Sequence, residues 1–180
     1  MSKFQKALQS KAGKVFDQAR KAKVHRAGNS FGPADIPDGS YTAIISASTD
    51  VPTKGKLEGV PIVRFTATID GGEHEGKEPK KTFFLQGKPP VDPQSDEMPT
   101  DEQQLLGLLE FILPDVEAPE DIAQIEAYIE EVNNRLPLCT IGVRNQHVTP
   151  PGGGAAKHYQ NVYFNKLLKE ATVELSEASV

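Results

Sequence analysis

Between Gly39 and Gly87 the chain passes three times through a strand-like pattern: GSYTAIISAST, then GVPIVRFTATIDGGEHEGK, then KKTFFLQG. Alternation of apolar and polar residues at period two marks a strand with one buried face. In the second run Val63, Phe65, Ala67 and Ile69 share one face, while Arg64, Thr66 and Thr68 share the other. In the third run Phe83 and Leu85 oppose Thr82, Phe84 and Gln86. Asp70-Gly71-Gly72 between these two runs is a strong turn signal. The spacing predicts strands over Ser40–Ser48, Val60–Asp70 and Lys80–Gln86.

A proline-rich stretch at 87–100 leads into a helical region. Thr100-Asp101-Glu102-Gln103 reads as a capping box, and Leu105, Leu108, Leu109 and Ile112 form an apolar stripe that Pro114 ends. Pro119 suits the first position of a second helix, whose stripe is Ile122, Ile125, Ile129 and Val132 and whose exit is Pro137. Two more strands follow, Leu138–Arg144 and His158–Leu167. Cys139, Ile141 and Val143 point inward on the first, and Val162 and Phe164 on the second, which leaves Tyr159, Asn161 and Tyr163 outward. Three strands, two helices and two strands is the order of a five-stranded oligonucleotide-binding (OB) barrel, a mainly β fold with helices. The expected organisation is a basic amphipathic helix at 1–26, a linker at 27–38, the OB domain at 39–168 with a helical insertion at 91–134, and a flexible tail at 169–180.

The net charge of −5 hides an uneven distribution. Residues 1–28 carry eight Lys or Arg against Asp17 alone, whereas 91–134 carry thirteen Asp or Glu and no Lys or Arg. The low isoelectric point comes from that one acidic block, and the rest of the domain is free to meet a polyanion. The basic helix has few large apolar residues, which argues against a membrane surface. It suits nucleic acid, or an acidic partner such as the 91–134 block of a second copy, or packing on its own barrel. No apolar run approaches a membrane span, and no secretory signal precedes the domain, so a cytoplasmic protein is expected. Cys139 lies in an apolar strand pattern and reads as a buried structural thiol.

Chemistry-bearing motifs are sparse. His25, His74, His147 and His158 have no paired metal-ligand spacing. The Pro150–Gly154 run lacks the Gly-Lys-Ser/Thr ending of a phosphate-binding loop and reads as a hairpin tip. The acidic residues at 91–134 read as solvated helix faces and loops. No catalytic residue, metal or cofactor is expected. The outward strand faces are more informative: Arg64, Thr66, Phe84, Gln86, Arg144, Tyr159 and Tyr163, with Lys80 and Lys81 at the entrance to the third strand and Lys157 at the entrance to the fifth. Rings interleaved with cations suit single-stranded nucleic acid, because bases stack on the rings while cations follow the phosphates.

The runs Ile36-Pro37-Asp38-Gly39-Ser40-Tyr41, Val63 to Gly72 and Glu75-Gly76-Lys77, with the later Tyr159-Gln160-Asn161-Val162, resemble phage-encoded single-stranded DNA-binding proteins. Their pattern is a Pro-x-Gly-x-Tyr entry, a strand ending in an Asp-Gly turn and an x-Gly-Lys/Arg step. The resemblance covers about 36–168. It implies an OB barrel that coats single-stranded DNA in replication or recombination, without enzymatic activity, in the host cytoplasm, beside other replication or recombination proteins. The alternative from charge alone is an assembly module, in which the basic helix and acidic block join protomers into a homo-oligomer.

Overall fold

The computed structural model describes residues 2–24, 28–29, 34–117 and 119–170. In chain order its elements are helices α1 (Lys3–Ala12) and α2 (Phe16–Lys21), strands β1 (Gly28–Asn29), β2 (Gly39–Asp50), β3 (Ile62–Ile69) and β4 (Lys80–Phe84), helices α3 (Asp101–Ile112) and α4 (Ile125–Arg135), and strands β5 (Pro137–Val148) and β6 (Lys157–Glu170). The strands form one sheet in the order β1-β6-β5-β2-β3-β4. All five expected strands are present, in an antiparallel sheet that is not closed. A closed barrel would require β4 to pair with β6, and no such ladder exists among the described residues. The two-residue β1 is one reason: it pairs with Val162 and Asn161 and occupies the free edge of β6 there.

The chain divides into two units. One comprises Met1–Arg26, Ala47–Arg64 and Phe83–Asn134, the other Ala27–Ser46, Phe65–Thr82 and Arg135–Val180. In the first, α3 is the central element. Leu105, Leu106, Leu108, Leu109 and Ile112 are all buried, each side chain contributing roughly 1.5–3 kcal/mol of transfer free energy. The expected capping box forms, with Gln103 N–H donating to Thr100 Oγ1 at 3.3 Å and Thr100 N–H donating to Gln103 Oε1 at 3.0 Å. Gln103 does more than cap. It is fully buried, and its amide also bonds Val91 N, Val91 O and Ala22 O, tying the proline-rich loop and the N-terminal segment to α3.

The basic N-terminal segment is two helices rather than one. Gly13 ends α1, and a side chain there would collide with the Gln9 carbonyl. Phe4, Leu8, Ala12, Val15, Phe16 and Ala19 are buried, and Lys23 Nζ lies 2.7 Å from Glu110 Oε2. The segment therefore packs on the acidic helix of its own chain, while Lys3, Lys6, Lys11, Lys14 and Lys21 stay exposed. The second helix of the insertion starts later than Pro119. Asp121 caps a 3-10 turn at Ile122–Gln124, and α4 follows from Ile125. The Asp121 cap, whose side chain accepts from Ala123 N–H, marks that start in place of the proline.

In the second unit Phe65, Ala67, Ile69, Cys139, Ile141, Val143, Val162 and Phe164 are buried as expected, and Ala43 and Ile45 of β2 join them. Strands β5 and β6 are longer than the sequence suggests and pair from Pro137–Glu170 to Val148–Lys157, so the loop between them shrinks to 149–156. Two register shifts interrupt this ladder, between Leu138 and Cys139 and between Thr140 and Ile141. Part of the expected linker is also ordered here. Gln160 bonds both the N–H and the C=O of Ala34 at 3.0 Å. Of the expected tail, 169–170 belong to β6, and 171–180 lie outside the described residues.

Candidate nucleic-acid interface

Strand alternation and the β5–β6 register decide which side chains share the outer face. Opposite residues pair as Val148–Lys157, Gln146–Tyr159, Arg144–Asn161, Gly142–Tyr163 and Thr140–Lys166. These five rows carry three cations, two tyrosines and no carboxylate. Arg144, Gln146, Lys157 and Lys166 are exposed, and Tyr159, Asn161 and Tyr163 half-buried. Arg144, Asn145, Gln146, Asn161 and Tyr163 line an open concavity. Gly142 sits across from Tyr163, and the Asn165 side-chain amide reaches into the space that a Cβ at Gly142 would take, beside the Tyr163 ring.

A polar network holds this face from beneath. Asn145 Oδ1 accepts from Gln160 Nε2 at 3.0 Å and lies 2.8 Å from His158 Nε2. Asn145 Nδ2 donates to Ile36 O at 3.0 Å and to Asp38 Oδ1 at 2.9 Å, and its N–H donates to Asp38 Oδ1 at 2.7 Å. Because the amide nitrogen is spent on Ile36 and Asp38, the oxygen faces His158, and His158 must donate from Nε2. The ring of His158 stacks on that of His147, with centroids 4.4 Å apart and planes 19° from parallel. The bonds from Asn145, with a smaller contribution from the charge of Arg144, hold the Asp38 carboxyl below the usual carboxylate range.

The ten residues expected to bind divide into groups. Arg144, Lys157, Tyr159 and Tyr163 come together on β5 and β6. Thr66 is half-buried and keeps the outward parity of β3. Lys80 is half-buried on β4, with Nζ 3.9 Å from Glu78 Oε2. Phe84, Gln86 and Arg64 belong to the other unit. There Phe84 N–H donates to Asp101 Oδ2 at 2.7 Å, and Phe84 and Gln86 line a cleft with Lys88, Met98, Asp101 and Glu102. Two carboxylates and the proline-rich loop beside these residues make that cleft a poor path for phosphates.

Lys81 overturns its expectation. It is 1% exposed, and its Nζ lies 5.8 Å from the centroid of the Phe164 ring. Strand β4 already begins at Lys80, so Lys81 takes the parity of Phe83 and points into the core. Alternation along β4 therefore separates the two lysines expected together at the strand entrance. Glu102 departs from the solvated faces and loops expected for most of the acidic block, being 6% exposed. Its Oε1 accepts from Gly87 N–H at 2.7 Å, while burial raises its pKa above the usual value.

Three residues of the face, Gln146, Asn161 and Lys166, are not among the expected binding residues. Gln146 lies past the expected end of the fourth strand at Arg144, because β5 carries the alternation on to Val148. Asn161 holds the outward position that the alternation predicts, across from Arg144. Lys166 carried no sequence signal: the register shift leaves Asn165 unpaired and returns Lys166 to the outer face.

No protein-family model, curated protein or solved structure matches this chain. Among the described residues no helix is long and apolar enough to cross a membrane, and no group of three or more His, Cys, Asp or Glu is placed to hold a metal ion.

Proposed function

We propose that the chain is a sequence-tolerant single-stranded DNA-binding protein that protects exposed strands during phage DNA replication or recombination, in the host cytoplasm and without catalysis of its own. One observation carries the reading: the outer face of β5 and β6 presents Arg144, Lys157 and Lys166 around Tyr159 and Tyr163 with no carboxylate in any row. Cations of this kind neutralise phosphates, and each exposed ring offers a base roughly 1–3 kcal/mol of stacking.

The strand order supports an OB-type fold as the scaffold. Leaving the two-residue β1 aside, β2 is central and β4 and β6 flank the set, the order expected of a five-stranded barrel left open at one seam. Phe164 of β6 approaches Phe65 of β3 and Lys81 of β4, which is the side-chain contact such a curl requires.

Fluorescence anisotropy with labelled dT20 tests the proposal. Binding is expected at about 50 mM salt, weakening steeply toward about 300 mM. A duplex of equal length should compete poorly, and Tyr163→Ala should weaken binding about fivefold or more. Absence of dT20 binding at low salt rejects the reading.

A further inference from the structure

We infer that a DNA strand lies along β6 in a fixed register, one nucleotide per cross-strand row, with its bases stacked on Tyr163 and Tyr159 two nucleotides apart. This rests on the single-strand reading above and adds a geometry to it.

Read outward along β6, the rows present Lys157, Tyr159, Arg144 (across from Asn161), Tyr163 and Lys166. Cation and ring alternate at every row. Residues on one face of a strand recur every second position, so successive rows lie about 6.8 Å apart. A stacked DNA strand rises about 3.4 Å per nucleotide. Parting its bases to admit a side-chain ring roughly doubles that rise, to the row spacing. Tyr159 and Tyr163 are separated by one row, so each takes a base while the nucleotide between them meets Arg144. The cations at Lys157, Arg144 and Lys166 then meet the backbone on either side of each stacked base.

Local details agree with this register. Gln146 beside Tyr159, Asn161 beside Arg144 and Asn165, whose amide reaches the Gly142 side of Tyr163, offer amides to base edges or sugars. The unpaired Asn165 brings Lys166 back to the face, so that the track ends in a cation at both ends. Beneath it, the Asn145–Gln160–His158 network limits movement of the strands that set the spacing.

The test uses the full chain and octadeoxynucleotides that are abasic except for two thymines, placed adjacent, separated by one abasic site, or separated by two. The one-site spacing should bind at least about fivefold more tightly than the other two, the difference expected for one added stack. Tyr159→Ala should bring the three within about twofold of each other, and Tyr159→Phe should restore the preference. If dT20 binds but the three spacings are equal in the unaltered protein, the register is wrong and the single-strand reading stands. If dT20 itself does not bind, both fall.

Discussion

Phe164 on β6 meets Phe65 on β3 edge to face, with ring centroids 6.4 Å apart and planes at 73°, although β5 and β2 stand between their strands in the sheet. Both rings are buried, and the contact lies in the hydrophobic interior of the second unit. Phe164→Ala should therefore cost about 3–5 kcal/mol in urea unfolding. A double-mutant cycle with Phe65→Leu should give a coupling of about 0.5–1.5 kcal/mol. Additive losses would mean that the two rings do not support each other.

Lys81 and Arg144 should separate stability from binding. Lys81→Met should change the unfolding midpoint and leave the salt dependence of oligonucleotide binding as it was. Arg144→Ala should leave stability within about 0.5 kcal/mol and lower the slope of log K against log salt by about one. A reduced slope in Lys81→Met at unchanged stability would return Lys81 to the phosphate path.

Glu102 sits in an apolar setting that includes Leu8, Phe16, Leu85 and Leu105. Burial raises its pKa in the folded chain, against the opposing bond from Gly87. A raised folded pKa means that the stabilising contribution is complete below the unfolded pKa and is lost as pH rises through the folded value. Glu102→Gln keeps an acceptor for Gly87 and removes the charge, so it should match the native chain near pH 4 and equal or exceed it near pH 7. Glu102→Leu orphans the Gly87 N–H and should cost about 1–3 kcal/mol. Parallel urea titrations of the three proteins at both pH values check the order.

Gly87 has φ +77°, and a Cβ there would run into the backbone carbonyl of Lys11. Gly87→Ala should destabilise by about 2–5 kcal/mol, combining left-handed strain with a backbone collision. Gly71→Ala, at φ +82° but with open space around it, isolates the strain, for which about 1–2 kcal/mol is expected. Thermal unfolding of the pair gives the difference; equal losses would show that α1 moves aside freely.

Burial pushes the Cys139 thiol up to about 12. The folded protein should resist Ellman's reagent near pH 8, where the denatured chain reacts readily. The thiol of the unfolded chain ionises first, so this contribution to stability is full below the unfolded pKa and is lost as pH climbs from there through the folded value. Cys139→Ala should flatten that alkaline decline in stability. A steep decline that survives the substitution would assign it to other groups, Tyr41 and Tyr128 first, whose pKa values burial also raises.

Five strands, their inward residues, the capping box at Thr100 and the end of α3 at Ile112 were legible in the chain itself, because local periodicity and cap chemistry act within a few residues. The same periodicity put Arg144, Tyr159 and Tyr163 on one outward side. It also contained the answer for Lys81, whose parity with Phe83 sends it inward once β4 starts at Lys80. Only the tertiary structure brought Lys166 onto the face, since an unpaired Asn165 is a property of two strands in register and leaves no mark in one. Only the tertiary structure buried Glu102 and Gln103, tied α1 and α2 to the acidic helix of the same chain, and left the sheet open where β1 covers β6. Those outcomes depend on which distant surfaces meet, and the free energy of such meetings is written in contacts between segments, not in the spacing along any one of them.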